Sequence, residues 1–226
     1  MNKLIYILNI ETSTTNCSVS LSENGRLIGL KEDNSLEYSH AERLHVYIDE
    51  LLKKANVSKT QIAAVGISKG PGSYTGLRIG VSAAKGLCYA LKIPLISIPT
   101  LKALAHQVMN PEGSIVAMLD ARRMEVYSAI YDTSYNEIRH TEAEVITHDS
   151  YKDLLDLSPV YFIGNGVEKT AQLIAHSNAI FIEDKLPSAK QMCALSHTKF
   201  KNNDFEDVAY FEPYYLKDFI AIPSKK

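Results

Sequence analysis

Cysteine and tryptophan are scarce in this chain of 226 residues, which has three cysteines and no tryptophan. Cys17, Cys88 and Cys193 are far apart and odd in number, so they form neither a CxxC pair nor a disulfide framework. This pattern favours a reducing compartment, and we expect a cytoplasmic protein. No stretch approaches the ~18 consecutive apolar residues of a membrane helix, and the first apolar run is too short for a signal peptide. We therefore expect a soluble protein with no membrane partner.

An excess of basic charge is also missing. The chain has 24 Lys and Arg residues against 26 Asp and Glu residues, which gives a net charge of -2. A protein that binds nucleic acid by itself usually carries a basic excess and a high pI. The overall charge therefore argues against RNA binding by the isolated chain, but it leaves a local basic patch open.

The order of the predicted elements repeats along the chain. Runs of apolar residues, alternating patterns and helical spacings define each element. In the first half they predict strands at 4–10, 17–22, 26–30, 62–67 and 95–98, and helices at 39–55, 74–91 and 101–108. The first of these helices would be capped by Ser39 and the last by Thr100. In the second half they predict strands at 115–119, 126–131, 137–145, 160–163 and 179–182, and helices near 151–157 and 167–175.

Two copies of the order β-β-β-α-β-α-β predict an α/β protein with two ribonuclease-H-like lobes, each a mixed β-sheet flanked by helices. This is the arrangement of the actin, Hsp70 and sugar-kinase group, the ASKHA type, whose members bind nucleotide between their lobes. Fold alone does not establish that function here. We assign residues 1–103 and about 208–226 to the first lobe, and 104–207 to a reduced second lobe. The polar segment 198–207 would return the chain to the first lobe.

A Gly-Pro-Gly turn at 70–72 joins a buried strand to the second helix. Free amides at a helix start attract anions, yet this is not a Walker A loop, because Lys69 precedes the glycines. A tight connection and a phosphate site both fit the pattern. The residues that would contact an anion or nucleotide are Gly72, Ser73, Thr75 and Arg78, together with Arg122 from the second half.

Small residues recur along the second helix, where Gly76, Gly80 and Ala84 are four residues apart. Each interior glycine costs roughly 1 kcal/mol relative to alanine, so something must approach this helix closely. Two alternatives stay open, packing on the protein's own sheet and contact with a partner helix. In the second alternative, helices 39–55 and 73–91 form the interface. Its residues would be Ala41, His45, Tyr47, Gly76, Gly80, Ala83, Ala84 and Leu87.

Five segments, in order along the chain, resemble the TsaB/TsaD family. They are IETS at 10–13, YSHAERL at 38–44, KGPGSYTGLRIG at 69–80, LDARRMEVY at 119–127 and PYYLK at 213–217, the last resembling a C-terminal strand. The resemblance is specific over residues 1–130 and weak over 130–205. It implies a role in transferring a threonylcarbamoyl group from threonylcarbamoyl-adenylate to the adenosine 3′ of the anticodon in tRNA.

The resemblance further implies a member of this family that is not an enzyme. The catalytic member, TsaD, carries a His-x-x-x-His pair that brings two imidazoles to one metal ion. Thr100 and Leu104 stand at those positions here, and His40 and His45 point about 140° apart on a helix. The turns after the first strand of each half also lack the glycine that lets a backbone approach phosphate. We therefore expect no catalytic residue and no metal site.

The resemblance implies TsaD as the partner, a TsaE-type ATPase in a larger complex, and tRNA reached through that complex. The chain alone would form a homodimer through the same surface. No cofactor would be tightly bound, since ATP, ADP and metal belong to the partner subunits. The alternatives are a nucleotide-binding protein of the ASKHA type and a glycoprotease-like hydrolase acting alone. The missing histidine pair and the missing phosphate glycines argue against both.

Overall fold

Two five-stranded mixed sheets organise the chain, in a computed structural model that describes residues 4–34 and 40–217. The first sheet has the strand order β3-β2-β1-β4-β5. Its strands are β1 (Tyr6–Glu11), β2 (Cys17–Glu23), β3 (Arg26–Asp33), β4 (Ile62–Ser68) and β5 (Leu95–Ile98). Strands β1, β2 and β3 form an antiparallel meander, whereas β4 and β5 run parallel to β1.

The second sheet repeats this plan in the order β10-β9-β6-β7-β8. Its strands are β6 (Ser114–Asp120), β7 (Glu125–Tyr131), β8 (Glu137–Val145), β9 (Val160–Ile163) and β10 (Ala179–Ile182). Here too the first three strands are antiparallel and the last two run parallel to the first. The predicted fold class, two mixed sheets flanked by helices, is confirmed.

The helices cover both faces of the first sheet. The α-helices within residues 4–34 and 40–217 are α1 (His40–Ala55), α2 (Tyr74–Leu91), α3 (Thr100–Ala105), α4 (Lys152–Leu155), α5 (Val167–Ala171) and α6 (Ala189–Lys201). Leu8 and Ile10 pack with α1 and α2 on one face, while Ile7 packs with α6 on the other. Because β1 is buried on both sides, its apolar residues Ile7 and Leu8 are consecutive, and its polar Asn9 is buried as well.

Helix α6 corrects the predicted division into lobes. It lies inside 104–207, the range assigned to the second lobe, but Ala189 and Met192 pack beside Ile7 of the first sheet. The Ser20 hydroxyl also donates to the carbonyl of Ala189 at 2.7 Å. Residues 189–201 therefore belong with the first sheet, and the chain returns to the first lobe before the polar segment at 198–207.

The chain after α6 forms a strap over the first lobe rather than the predicted strand at 213–217. Glu206 makes an isolated bridge to Leu95 of β5, and the residues from 207 to 217 have no strand. The C-terminal strap, defined as residues 206–217, next passes Lys85 of α2, whose Nζ donates to the carbonyls of Ala209 and Phe211. The strap thus follows the outside of α2.

Two predicted helix caps have different outcomes. Ser39 lies outside the described residues. Thr100 opens α3 but does not cap it, because its Oγ1 bonds to the Ser68 hydroxyl at 2.6 Å and accepts from the Gly70 amide at 3.1 Å. Each helix within residues 4–34 and 40–217 is too short or too polar to cross a membrane.

Candidate functional site

The Gly-Pro-Gly turn is held closely against the turn after β1. The Ser73 amide donates to the Ser13 carbonyl at 2.6 Å, and the Ser73 hydroxyl caps α2 by accepting from the Gly76 amide at 3.3 Å. A Cβ added at Gly72 would lie 2.6 Å from the Cβ of Ser13, so a side chain does not fit there. The amides of Gly70 and Ser73 thus bond inside the protein. These contacts favour the tight-connection alternative over a phosphate site.

The other predicted anion contacts lie apart. Thr75 is exposed on α2, and the guanidinium group of Arg78 lies 4.8 Å from the centre of the Tyr74 ring. The ring of Tyr215, from the C-terminal strap, packs 5.0 Å from that of Tyr74. Arg122 is exposed in the turn after β6, on the second sheet. An anion contact at these residues stays a prediction.

The small-residue stripe of α2 faces inward. Gly76, Gly80 and Ala84 are buried, and a Cβ on either glycine would collide with Thr12. The Thr12 hydroxyl donates to the Gly76 carbonyl at 2.8 Å, which fastens α2 to the turn after β1. The prediction that this stripe faces a partner is therefore corrected. The glycines are needed because α2 crosses its own sheet closely.

Tyr47 is also corrected as an interface residue. Its hydroxyl donates to Asp33 Oδ2 at 3.2 Å, and its ring packs against the core beneath α1. Tyr47 therefore faces β3, whereas Ala41 and His45 lie on the exposed side of the same helix.

An open groove of about 560 Å³ runs between the outward sides of α1 and α2. It is lined by Ala41, His45, Arg78, Ile79, Ser82, Ala83, Gly86 and Leu87. Four of these residues, Ala41, His45, Ala83 and Leu87, were predicted at the interface. Gly86 lies at an open position, since a Cβ there would meet no atom within 4 Å. The groove is thus a surface with room for side chains from another molecule.

Sequence reasoning missed Ile79, Ser82 and Gly86 as groove residues. The prediction was based on the glycines at 76 and 80, which lie two residues before the exposed positions 78 and 82. Two residues correspond to about 200° around an α-helix, so Arg78 and Ser82 point away from the stripe, whereas Ile79 and Ala83 lie about 100° from it. The missed signal is the recurrence of exposed residues at 75, 78, 82, 86 and 89.

A buried carboxyl group ends β1. Glu11 has no exposed surface, and its Oε1 accepts from the Ser13 amide at 2.6 Å. Burial raises the pKa of this carboxyl, because the charged form is cut off from water. Among the described residues, no three His, Cys, Asp or Glu side chains converge as a metal site. Through its bond to the Ser13 amide, Glu11 braces the turn on which α2 rests.

The thiol groups are poor nucleophiles. Cys17, Cys88 and Cys193 are free and buried. Burial raises the pKa of Cys17 to about 11 and that of Cys88 to about 12, and it also raises the pKa of Cys193. Because the thiolate is the reactive form, these side chains contribute to packing rather than to chemistry.

Comparisons with known proteins identify the family of this chain. Residues 35–222 match the family model of TsaD, tRNA N6-adenosine threonylcarbamoyltransferase. The chain is 31% identical to the tRNA threonylcarbamoyladenosine biosynthesis protein TsaB of Escherichia coli, with 97% of this chain and 99% of that protein covered. It is 30% identical to TsaB of Bacillus subtilis, with 74% of each chain covered.

A solved structure shares the whole fold. YeaZ from Pseudomonas aeruginosa superimposes with a TM-score of 0.81 at 25% identity, covering 94% of this chain and 100% of that one. The similarity therefore extends over both sheets and is not confined to the glycine loop. The chain belongs to the TsaB family of tRNA threonylcarbamoyladenosine biosynthesis proteins, within the wider TsaD family.

Proposed function

We propose that this chain serves the formation of threonylcarbamoyladenosine in tRNA as a non-catalytic subunit. In this role it binds the catalytic paralogue TsaD through the groove between α1 and α2. The observation that carries the proposal is the groove itself, which is open and mainly apolar in a chain of the TsaB family.

The surroundings of the groove support a protein partner. Val46 of α1 is 51% exposed and Tyr89 of α2 is 83% exposed, so large apolar side chains stand on both helices. Interface centres are enriched in aromatic and apolar side chains and depleted in charge. Gly86 leaves space for an inserted side chain, as the pocket of an interface does.

The residues at the catalytic positions of TsaD support a non-catalytic role. Thr100 and Leu104 replace the two histidines by the resemblance, and both are fully buried here. Thr100 bonds to Ser68 and Gly70, while Leu104 packs in the core of the second sheet. These side chains stabilise the fold, and neither supplies a ligand that binds metal through nitrogen or a carboxylate.

The remaining partners follow from this role. A TsaE-type ATPase would join a larger complex, and the tRNA would be reached through that complex. ATP, ADP and metal would belong to the partner subunits. In the absence of TsaD, two copies of this chain would pair through the same groove, because an isologous contact needs only one self-complementary patch.

The substitution Gly86→Leu tests the groove. A leucine at Gly86 points into open space, so it fills the groove without touching the core. We expect the affinity for TsaD to fall by about thirty-fold or more, corresponding to the ~2 kcal/mol of a hot-spot contact. Light scattering after size exclusion, on mixtures titrated with TsaD of the same organism, measures the loss.

The matched control is Lys54→Leu, an exposed position on α1 about 180° from His45. It should bind TsaD as the wild type does. If Gly86→Leu binds TsaD with unchanged affinity, the interface lies elsewhere. If the wild-type chain forms no complex, also with tRNA and ATP present, the partner role is wrong, and binding of MgATP to the chain alone becomes the next test.

A further inference from the structure

The turn after β6 places two arginines in an unusual backbone conformation. Arg122 has φ 72° and Arg123 has φ 51°, both in the left-handed region. Residues with a side chain adopt this conformation rarely, because the Cβ atom comes too close to the following carbonyl oxygen. The turn is held by hydrogen bonds from the Arg122 amide to Asp120 Oδ1 at 2.7 Å and from the Glu125 amide to the Arg122 carbonyl at 3.1 Å.

Lys169 of α5 holds the turn in place through hydrogen bonds. Lys169 is 15% exposed, and its Nζ donates to Asp120 Oδ1 at 2.6 Å, to the Arg123 carbonyl at 2.9 Å and to the Glu125 carbonyl at 2.5 Å. One ammonium group thus binds both ends of the turn. The two arginines are therefore presented on a rigid support rather than on a loose loop.

The two guanidinium groups bond to no other group in the part of the chain that the structure describes. Both arginines are exposed, and no acceptor within residues 4–34 and 40–217 bonds to either side chain. The nearby carboxylates are already paired, Asp120 with Lys169 and Glu125 with Lys217. Four cations and two carboxylates leave two positive charges at this turn, in a chain whose net charge is -2.

We propose that Arg122 and Arg123 bind phosphate groups of the RNA backbone. A guanidinium group matches phosphate with two parallel hydrogen bonds, and it is always charged. Contacts of this kind position an RNA and carry no sequence information. The inference rests on the proposed function, which makes a tRNA the substrate of the complex.

The geometry favours an RNA backbone over a free nucleotide. The sequence from Asp120 to Arg123 has no glycine, and both arginines are on the surface instead of lining an enclosed pocket. A pair of exposed cations supplies only a small part of an RNA-binding surface. The charge of the whole chain and this patch are therefore compatible, because the patch would act together with the cations of a partner.

The double substitution Arg122→Gln/Arg123→Gln tests the proposal in the complex with TsaD. The measurement is the affinity for tRNA over a range of KCl concentrations. Each lost phosphate contact lowers the slope of log affinity against log salt by about 0.7–0.9, so we expect a slope smaller by about 1.5. The variant Arg122→Lys/Arg123→Lys keeps the charge and should keep most of the slope.

The matched control is Arg26→Gln/Lys201→Gln. Both residues are exposed, and Arg26 lies opposite Glu23 in the register of β2 and β3, at the end of the first sheet away from Glu11. This control also removes two positive charges, so a general charge effect would change its slope equally. The proposal expects its slope to match that of the wild type, and equal losses in both double variants would overturn the proposal.

Three further outcomes would overturn the proposal. The first is that the slope of the arginine variant is unchanged although its complex with TsaD forms normally. The second is that the variant no longer forms the complex, which would place the arginines against an acidic protein surface. The third is that the wild-type chain binds MgATP and the variant does not, which would identify a nucleotide as the ligand.

If the wild-type chain forms no complex with TsaD, the proposed function fails. The same salt series on the isolated chain then decides whether the chain binds RNA.

Discussion

The two equivalent turns, after β1 and after β6, have opposite roles in this molecule. In the first lobe, Glu11, Thr12 and Ser13 are buried, the Thr12 hydroxyl bonds to α2, and Glu11 bonds to the Ser13 amide. In the second lobe, Asp120 is paired with Lys169 and its neighbours Arg122 and Arg123 are exposed. The strand order of the two sheets is the same, so the duplicated topology fixes where a turn lies and not what it contacts. The turn after β1 supports helix α2, and the turn after β6 exposes two arginines to solvent.

The largest expected effect comes from breaking the brace in the first lobe. In Gly80→Leu the new side chain would collide with Thr12 and approach Ile67, whose Cδ1 lies 3.1 Å from the added Cβ. We expect the free energy of unfolding to fall by about 3 kcal/mol, at the upper end of overpacking effects. Urea unfolding measures the change. Gly86→Leu is the control, because it has the same gain in helix propensity at an open position; equal stabilities for the two variants would contradict the inward stripe.

A second prediction concerns the buried carboxyl group of the first turn. Burial raises the pKa of Glu11 above the usual 4.5, so the folded state keeps a proton that the unfolded state releases. This contribution to stability is complete below pH 4.5 and is lost as the pH rises towards the folded-state pKa. Relative to Glu11→Gln, the wild type should therefore lose unfolding free energy across that window, by at most about 1.4 kcal/mol per pH unit. A difference that is constant from about pH 4 to about pH 8 would contradict a raised pKa.

The smallest expected effect lies in the second turn. Lys169→Met removes three donated hydrogen bonds but keeps the apolar stem, and it leaves Asp120 half exposed to water. We expect a loss of about 1–2 kcal/mol in unfolding free energy, and a smaller loss in about 1 M KCl because salt screens the exposed partner. The loss in Gly80→Leu should not depend on salt. If both losses respond to salt alike, the contrast between a packed brace and an ionic turn is wrong.

The sequence predicted those helices and strands that have a clear apolar pattern and clear start and stop signals. Helix α2 begins at Tyr74 and ends at Leu91 as predicted, because Ser73 caps it and Pro94 follows it. Helix α6 was missed. Its inward positions are Ala189, Met192, Cys193 and Ser196, which have helical spacing but small or polar side chains. A weak apolar stripe of this kind is recognised only once the sheet that it covers is known.

The direction of the glycine stripe could not be predicted from the sequence. A helix that crosses a sheet closely and a helix that meets a partner both need small residues, so the residue types at 76, 80 and 84 are the same in either case. Only the position of Thr12, brought beside α2 by the pairing of β1 with β4, decides between them. Four of the eight residues that line the groove were therefore predicted, namely Ala41, His45, Ala83 and Leu87.

The C-terminal strap has a consequence for distance within the molecule. It begins beside β5 at Glu206, bonds to Lys69 through the Tyr214 amide at 2.7 Å, and ends with Lys217 paired to Glu125 of β7. The covalent chain passes between the lobes at α3 and again between β10 and α6, and the Lys217–Glu125 pair adds a further contact. A rotation of one sheet away from the other would have to break the Lys217–Glu125 pair. The strap consequently connects the first lobe, which carries the groove on α2, with β7, whose first residue follows the arginine turn.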